Sequence, residues 1–213
     1  MNAGTLDAAS RDPAYQRLLA GEGVNLPDGR PLASVLRRTH PADQVCEQVR
    51  GPWLFETCLD RGREFGLQHY LLGSTEATMV ELQRQIAVKF PGALVVGTYS
   101  PPFHQQTPTQ VQHQDHRIRT SGAHIIWVAL GTPKQDAEAL RILRSTGQTT
   151  AAVGAAFDFT AGTKATAPKW LTTHHMEWSY RLFSEPRRLW RRYLIGNTRF
   201  VILTLRHWFQ NRS

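Results

Sequence analysis

Short apolar runs alternate with longer amphipathic segments in the middle of this sequence, and this alternation constrains the fold most. The runs cover residues 68–72, 93–97, 124–130 and 149–153, and each ends at or beside a glycine. Between them, residues 78–90 carry apolar side chains at near-helical spacing, namely Met79, Leu82, Ile86 and residues 88–90. Residues 134–144 follow the next strand and turn as a second predicted helix. Strands that alternate with helices are typical of a parallel sheet covered by helices. The pattern predicts an α/β fold with a Rossmann-like sheet and flanking helices.

Prolines mark the borders of three further segments. Gly51-Pro52 begins a helix that we expect to reach about Phe65. Its expected apolar side consists of Trp53, Leu54, Cys58 and Leu59. The paired prolines after Ser100 forbid regular structure and predict a loop after Gly97. Pro133 suits the first position of the helix over residues 134–144.

Glycines close the predicted strands, and they indicate where a ligand would bind. In open parallel sheets, ligands bind outside the carboxyl ends of the strands, where turns free backbone N–H groups for phosphates. We therefore expect the turns that begin at Gly73, Gly97, Gly131 and Gly154 to share one rim. None has the spacing of a dinucleotide fingerprint or a P-loop, which argues against a nicotinamide dehydrogenase or an NTPase. The glycine pattern remains compatible with a site for a nucleotide-sugar.

Charge divides the chain into two parts. Its length of 213 residues suits one core with an appendage, which we place at residues 1–177 and 178–213. Residues 178–213 contain eight Arg and one acid, so they hold +7 of the net charge of +8. A nucleic-acid enzyme would usually spread its cations over its working face, so we expect no nucleic-acid partner. Aromatic residues between the arginines suit an anionic membrane surface, or a solvated helix that packs its aromatics on the core.

Several other classes of protein find little support in the sequence. Cys46 and Cys58 make neither a disulfide framework nor a zinc site. The paired histidines, such as His113 with His116, lack a third ligand at recognisable spacing, so we expect no metal and no cofactor. No apolar run reaches the ~18 residues of a membrane-spanning helix, and residues 1–10 lack the pattern of a secretory signal. We expect a cytoplasmic protein.

Polar residues in the predicted turns are the candidates for chemistry. Asp28 precedes Gly29 at a turn, where it would act as a base or form an ordinary Asx turn. Gly131, Lys134 and Gln135 suit a diphosphate or a sugar hydroxyl, or else form a solvated first helical turn. Asp158 stands among small and apolar residues, where it would orient a ligand or cap a helix. Thr98, directly after Gly97, is a further candidate for substrate binding.

Sequence motifs along almost the whole chain resemble the WecG/TagA/CpsF glycosyltransferases, also called glycosyltransferase family 26. The resemblance rests on residues 25–32 (NLPDGRPL), 51–55, 70–73 (YLLG), 97–103 (GTYSPPF), 128–135 (VALGTPKQ) and 154–162 (GAAFDFTAG). It continues through residues 167–193, which carry APKW, MEWSYRL, EPRRLW and RRY. Chance similarity would not reproduce so many motifs in one order.

The resemblance implies an inverting, metal-independent hexosyltransferase. Such enzymes move an N-acetylmannosamine-type sugar from UDP to an undecaprenyl-diphosphate-linked acceptor, at the inner face of the membrane, for cell-surface polysaccharide or teichoic acid. Asp28 matches the position of the general base, and Asn2 and Gln135 match polar positions that line the pocket. The basic helical appendage would close over the UDP diphosphate with arginines in place of a metal. These are Arg181, Arg187, Arg188, Arg191 and Arg192.

Two other functions compete with this interpretation. Family members usually begin with a further strand before the Asn that matches Asn2, and here we expect that strand to be absent. A family member without it would bind UDP-sugar or a membrane surface without turnover. A nucleic-acid binder, suggested by the basic composition, would bind DNA or RNA in a strongly salt-dependent way. The sequence leaves the donor sugar and the oligomeric state open.

Overall fold

The computed structural model describes residues 1–39 and 47–164. Within these residues the chain forms two compact units, one in Met1–Val49 and the other in Arg50–Ala165. The appendage predicted at residues 178–213 lies outside the described residues.

The first unit contains three short helices that the sequence analysis did not predict. They are α1 (Ala3–Arg11), α2 (Pro13–Ala20) and α3 (Arg30–Thr39). Asn2 and Thr5 form a capping box at the start of α1, and the Asp12 carboxylate accepts from two backbone amides at the start of α2. Good caps thus start α1 and α2, although the apolar periodicity of the three helices is too short to be recognised in the sequence.

A four-stranded parallel sheet forms the centre of the second unit. Its strands are β1 (Gln68–Gly73), β2 (Leu94–Tyr99), β3 (Ile125–Ala129) and β4 (Thr149–Ala152), in the order β2-β1-β3-β4. Each predicted strand lies within one or two residues of an observed one. The α/β fold with a parallel, Rossmann-like sheet is confirmed.

Helices flank this sheet and connect its strands. They are α4 (Gly51–Arg61), which continues as a 3₁₀ turn over Gly62–Phe65, α5 (Glu76–Lys89), α6 (Pro108–Thr120), α7 (Lys134–Thr146) and the short α8 (Ala156–Thr160). The predictions for α4, α5 and α7 are confirmed within a few residues. Pro133 is the N-cap of α7 and not its first helical residue, and α6 was missed.

The two faces of the sheet bury separate apolar clusters. On one face, Trp127 and Leu71 pack with Phe55 of α4 and Phe157 of α8. On the other face, Tyr70 and Val128 pack with Ile118 of α6 and Ile142 of α7. Strands buried on both faces read as continuous apolar runs, which is why β1 and β3 were easy to recognise.

Gly97 corrects one of the sequence predictions. It lies inside β2, paired with Tyr70, and does not begin a turn. A side chain at this position would overlap the Tyr70 ring, so the glycine makes room for an aromatic ring on the neighbouring strand. Val96 is the extra residue of a bulge just before it, and the loop after β2 starts at Ser100.

Two large apolar side chains of the predicted helices also differ from expectation. Trp53, placed on the apolar side of α4, is 57% exposed, and Phe55 is the aromatic residue that enters the core. Val88 of α5 is also exposed, whereas Met79, Leu82 and Ile86 are buried as predicted. Helical spacing identified the helices but not the angular limits of their buried faces.

None of the helices in residues 1–39 and 47–164 is long and apolar enough to cross a membrane.

Candidate functional site

Three of the four glycine turns expected to share a rim do lie at the carboxyl edge of the sheet. β1 ends at Gly73, β3 is followed by Gly131, and β4 is followed by Gly154. Because the strands are parallel, these turns lie at one edge. At β2 the edge is formed by the loop after Tyr99, since Gly97 lies within the strand.

Gln135 connects two of these turns. It is the second residue of α7 and only 6% exposed, and its side-chain oxygen Oε1 accepts from the Gly154 amide at 3.1 Å. The backbone N–H of Gln135 donates to the Gly131 carbonyl at 2.9 Å. Gln135 therefore holds the turns after β3 and β4 together, and the alternative of a solvated side chain does not apply to it. Its neighbour Lys134 is exposed, as is Gly131.

Asp158 links two other segments at this edge. One carboxylate oxygen is 2.8 Å from Lys164 Nζ, and the other lies 3.5 Å from the Ser74 hydroxyl. The N-cap position of α8 belongs to Ala155, which makes no side-chain cap. The Asp158 side chain therefore does not cap α8, and it ties the turn after β1 to the turn that follows α8.

Ser74 is a polar residue at the edge that the sequence analysis missed. Its φ of 58° lies in the left-handed region, which costs a residue with a side chain on the order of 1 kcal/mol. Its amide donates to the Ala129 carbonyl at 3.2 Å, and the preceding Gly73 leaves no room for a side chain against Ala129. The close approach of β1 to β3 at these residues therefore fixes Ser74 beside Asp158. The available signal was a hydroxyl directly after an apolar strand that ends in glycine.

Thr98 lies in β2 and is partly buried. Its carbonyl oxygen accepts from the Arg117 guanidinium of α6 at 3.1 Å, and the same guanidinium lies 5.4 Å from the centre of the Tyr99 ring. Arg117 thus covers the last residues of β2 from the α6 side.

Asp28 and Asn2 are brought together in the first unit. The Asp28 amide donates to the Met1 carbonyl at 2.7 Å, and its carbonyl accepts from the Gln48 side chain at 2.9 Å. The Val49 amide donates to the Pro27 carbonyl at 2.8 Å, so several hydrogen bonds hold the backbone at residues 27–28. Asp28 is half-buried and precedes α3, while the Asn2 side chain accepts from the Thr5 amide at the start of α1. The backbone around the candidate base is therefore well fixed.

The arginines predicted to bind the donor, Arg181, Arg187, Arg188, Arg191 and Arg192, lie outside the described residues. Among residues 1–39 and 47–164, no three His, Cys, Asp or Glu side chains gather in a way that could hold a metal ion.

The carboxyl edge of the second unit thus combines a buried amide, a carboxylate with a lysine partner, a hydroxyl and the start of a 13-residue helix. A helix of this length favours negative charge at its N-terminus. This combination defines an α/β protein with a cluster of polar groups at the carboxyl edge of a parallel sheet, the edge at which such folds bind their ligands.

The chain belongs to the WecG/TagA/CpsF family of glycosyl transferases, whose family model matches residues 1–213. The protein is therefore a glycosyltransferase with a role in polysaccharide biosynthesis. This finding confirms the family that the motifs indicated.

Proposed function

We propose that the protein is an inverting, metal-independent hexosyltransferase that moves an N-acetylmannosamine-type sugar from UDP to an undecaprenyl-diphosphate-linked acceptor. The single observation that carries the proposal is the buried Gln135 side chain, which joins the turns after β3 and β4 at a sheet edge suited to a nucleotide-sugar. Family membership over residues 1–213 supports a sugar donor and a lipid-linked acceptor in general.

Asp28 is the proposed general base. Its carboxylate takes the proton of the acceptor hydroxyl, the hydroxyl oxygen attacks the anomeric carbon, and the bond from that carbon to the UDP oxygen breaks. One displacement inverts the configuration and needs no second carboxylate as nucleophile. The bonds to Met1 and Gln48 on either side of Asp28 support this role, because a base works best from a fixed backbone.

Positive charge and backbone dipoles stabilise the leaving UDP in this mechanism. The N-terminus of α7 with Lys134, and the arginines Arg181, Arg187, Arg188, Arg191 and Arg192, would neutralise the charge that develops on the diphosphate. Arginine forks bind phosphate oxygens in pairs, and they take over the role that a divalent ion has in other transferases.

The remaining candidates would bind the rest of the donor. Asp158 with Ser74 offers a carboxylate and a hydroxyl to a polar group at the sheet edge, and Thr98, Gly131 and Asn2 are further candidates for substrate binding. We propose that the protein works in the cytoplasm at the inner face of the membrane, where residues 178–213 with their charge of +7 meet anionic lipid.

The test is a transfer assay with UDP-sugars and a short-chain lipid-diphosphate acceptor in the presence of a metal chelator. Wild type should transfer the sugar with inversion, and Asp28→Asn should lower kcat roughly 10²- to 10⁴-fold, the usual contribution of a general base. Asp60→Asn is the matched control. It removes an exposed carboxylate of α4, whose ion-pair partner is Arg63, and should keep full activity.

A wild-type protein that transfers nothing from any UDP-sugar would contradict the proposal. If it still bound UDP, the protein would be a binding module that retains the family fold without turnover. Equal activity in Asp28→Asn and Asp60→Asn would remove Asp28 from the mechanism.

A further inference from the structure

A continuous chain of polar side chains runs from the end of β2 to the first turns of α7. Gln106, in the loop after β2, donates through Nε2 to the Tyr99 hydroxyl at 3.3 Å and to Gln114 Oε1 at 3.2 Å. Gln114 donates in turn to Glu138 Oε1 of α7 at 2.7 Å. Tyr99, Gln106, Gln114 and Glu138 therefore form one hydrogen-bonded path across α6.

Gln114 is the central member of this path. It lies in the middle of α6 and is only 1% exposed, so a glutamine amide is buried between two helices. Its oxygen accepts from Gln106 while its nitrogen donates to Glu138, so both ends of the amide are used. A buried polar group costs free energy unless it is satisfied, which makes this arrangement specific for an amide.

The far end of the path is firmly anchored. Arg141 donates to both oxygens of Glu138 and to both oxygens of Asp115, at 2.8 to 2.9 Å. Glu138 therefore cannot move without breaking bonds to α6 and to its own helix.

The position of the path relates it to the candidate site. Glu138 follows Gln135 by three residues, so the two lie on adjacent turns at the start of α7. Gln106 belongs to the loop after β2, and Gln135 holds the turns after β3 and β4. The path through Gln114 therefore joins the loop after β2 to the start of α7, the helix whose Gln135 holds the turns after β3 and β4.

We propose that Gln114 is a positioning residue of the transferase, which fixes the loop after β2 relative to the first turns of α7 and so keeps the donor site in its binding-competent arrangement. This inference rests on the proposed function. When the arrangement is populated only in part, the apparent affinity falls by that fraction while the competent state itself is unchanged.

Two substitutions of Gln114 separate hydrogen bonding from size. Gln114→Met keeps most of the volume and removes both hydrogen bonds. Gln114→Glu reproduces the amide only when it is protonated, because the acid then donates to Glu138 and accepts from Gln106. The ionised form faces Glu138 and Asp115, with Arg141 between them, and cannot donate. Gln148→Met is the matched control, since the Gln148 amide donates to the Ala123 carbonyl at 3.1 Å near the amino ends of β3 and β4.

Steady-state kinetics and hydrogen–deuterium exchange of the full chain test the proposal together. We expect Gln114→Met to raise the donor KM about tenfold with kcat changed less than about twofold, and to speed exchange in residues 100–107 and 134–138. Gln148→Met should change neither the donor KM nor the exchange in residues 100–107 and 134–138. The donor KM of Gln114→Glu should approach that of wild type as the pH falls and that of Gln114→Met as the pH rises, because only the protonated acid can donate.

The proposal is overturned if Gln114→Met shows the same donor KM as Gln148→Met and the same exchange in residues 100–107 and 134–138. Faster exchange with unchanged KM would also overturn it, because the network would then be structural only. If wild type transfers no sugar, the proposed function fails separately, and exchange in residues 100–107 and 134–138 alone decides whether Gln114 couples the two segments.

Discussion

His69 of β1 is a buried histidine whose side chain has a defined partner on the next strand. Its Nδ1 accepts from the Trp127 indole at 3.0 Å, so the proton of the neutral ring lies on Nε2, which has no partner among the described residues. Burial, and secondarily the charge of the nearby His124, lower the pKa of His69 from 6.5 to about 4. The folded protein therefore holds His69 neutral across the physiological range.

This pKa predicts a loss of stability in acid. Below about pH 6.5 the unfolded chain protonates this histidine while the folded chain does not, so the free energy of unfolding falls as the pH drops toward 4, by up to about 3 kcal/mol. His69→Gln retains an acceptor for Trp127 and does not titrate. Urea unfolding at about pH 7 and pH 4 should show a larger acid loss for wild type than for His69→Gln. Equal losses would mean that His69 does not titrate as proposed.

Gly97 lies against the Tyr70 ring at the bulged pairing of β1 with β2, where an added Cβ would overlap the ring. Gly97→Ala should lower the free energy of unfolding by about 1 to 3 kcal/mol, the usual range for overpacking. The same change in a Tyr70→Ala background should cost much less, because the obstructing ring is gone. A double-mutant cycle measured by urea unfolding gives this coupling, and equal costs in both backgrounds would contradict it.

At the scale of the helices, the ion pair between Asp115 of α6 and Arg141 of α7 is the most buried one among the described residues of the second unit. Burial pushes the pKa of Asp115 up, but hydrogen bonds from Arg141 and Ser145 and the charge of Arg141 outweigh it and hold the pKa below its usual range. Arg141→Met would leave this carboxylate buried without its main partner and should cost roughly 3 kcal/mol of stability. Arg84→Met, which removes an exposed partner of Glu81 on α5, is the control and should leave the unfolding midpoint nearly unchanged. Similar midpoints for the two variants would contradict the importance of this pair.

The same two elements show how far the sequence could predict the fold. α7 was recognised because it follows an apolar strand and a turn that ends in Pro133, whereas α6 follows a proline-rich loop and its inner face consists of Gln114, Asp115 and Ile118. A helix that buries an amide and a carboxylate has no apolar periodicity, because its stability depends on partners such as Arg141 and Glu138. Those partners lie 24 to 26 residues along the chain. No local pattern reports such contacts.

The candidate site also contains residues that the sequence predicted and partners that only the fold reveals. Gln135 and Asp158 were identified from turn position and motif, and their partners Gly154 and Ser74 are residues that only the parallel sheet brings to the same edge. Gly97 was misplaced because a glycine that makes room for a ring looks like a glycine that begins a turn. The choice between these two roles depends on the neighbouring strand.

At the scale of the whole molecule, charge is distributed very unevenly. Residues 1–177 carry a net charge of +1 and residues 178–213 carry +7. Each basic residue near an anionic leaflet contributes about 1 kcal/mol, and that attraction extends over about one Debye length. We therefore expect binding to phosphatidylglycerol-containing vesicles that weakens with salt, and little binding to vesicles of phosphatidylcholine alone.

The location of this charge, rather than its total, should decide membrane binding. Replacing Arg187, Arg188, Arg191 and Arg192 by Gln should lower the partition coefficient on anionic vesicles about a thousandfold, at about 1 kcal/mol for each arginine. A control variant removes the same charge from exposed arginines of the described units, Arg17, Arg61, Arg84 and Arg119. Since both variants have the same net charge, equal loss in a sedimentation assay would show that overall charge attracts the protein to the lipid. A much larger loss in the first variant would locate the membrane contact in residues 178–213.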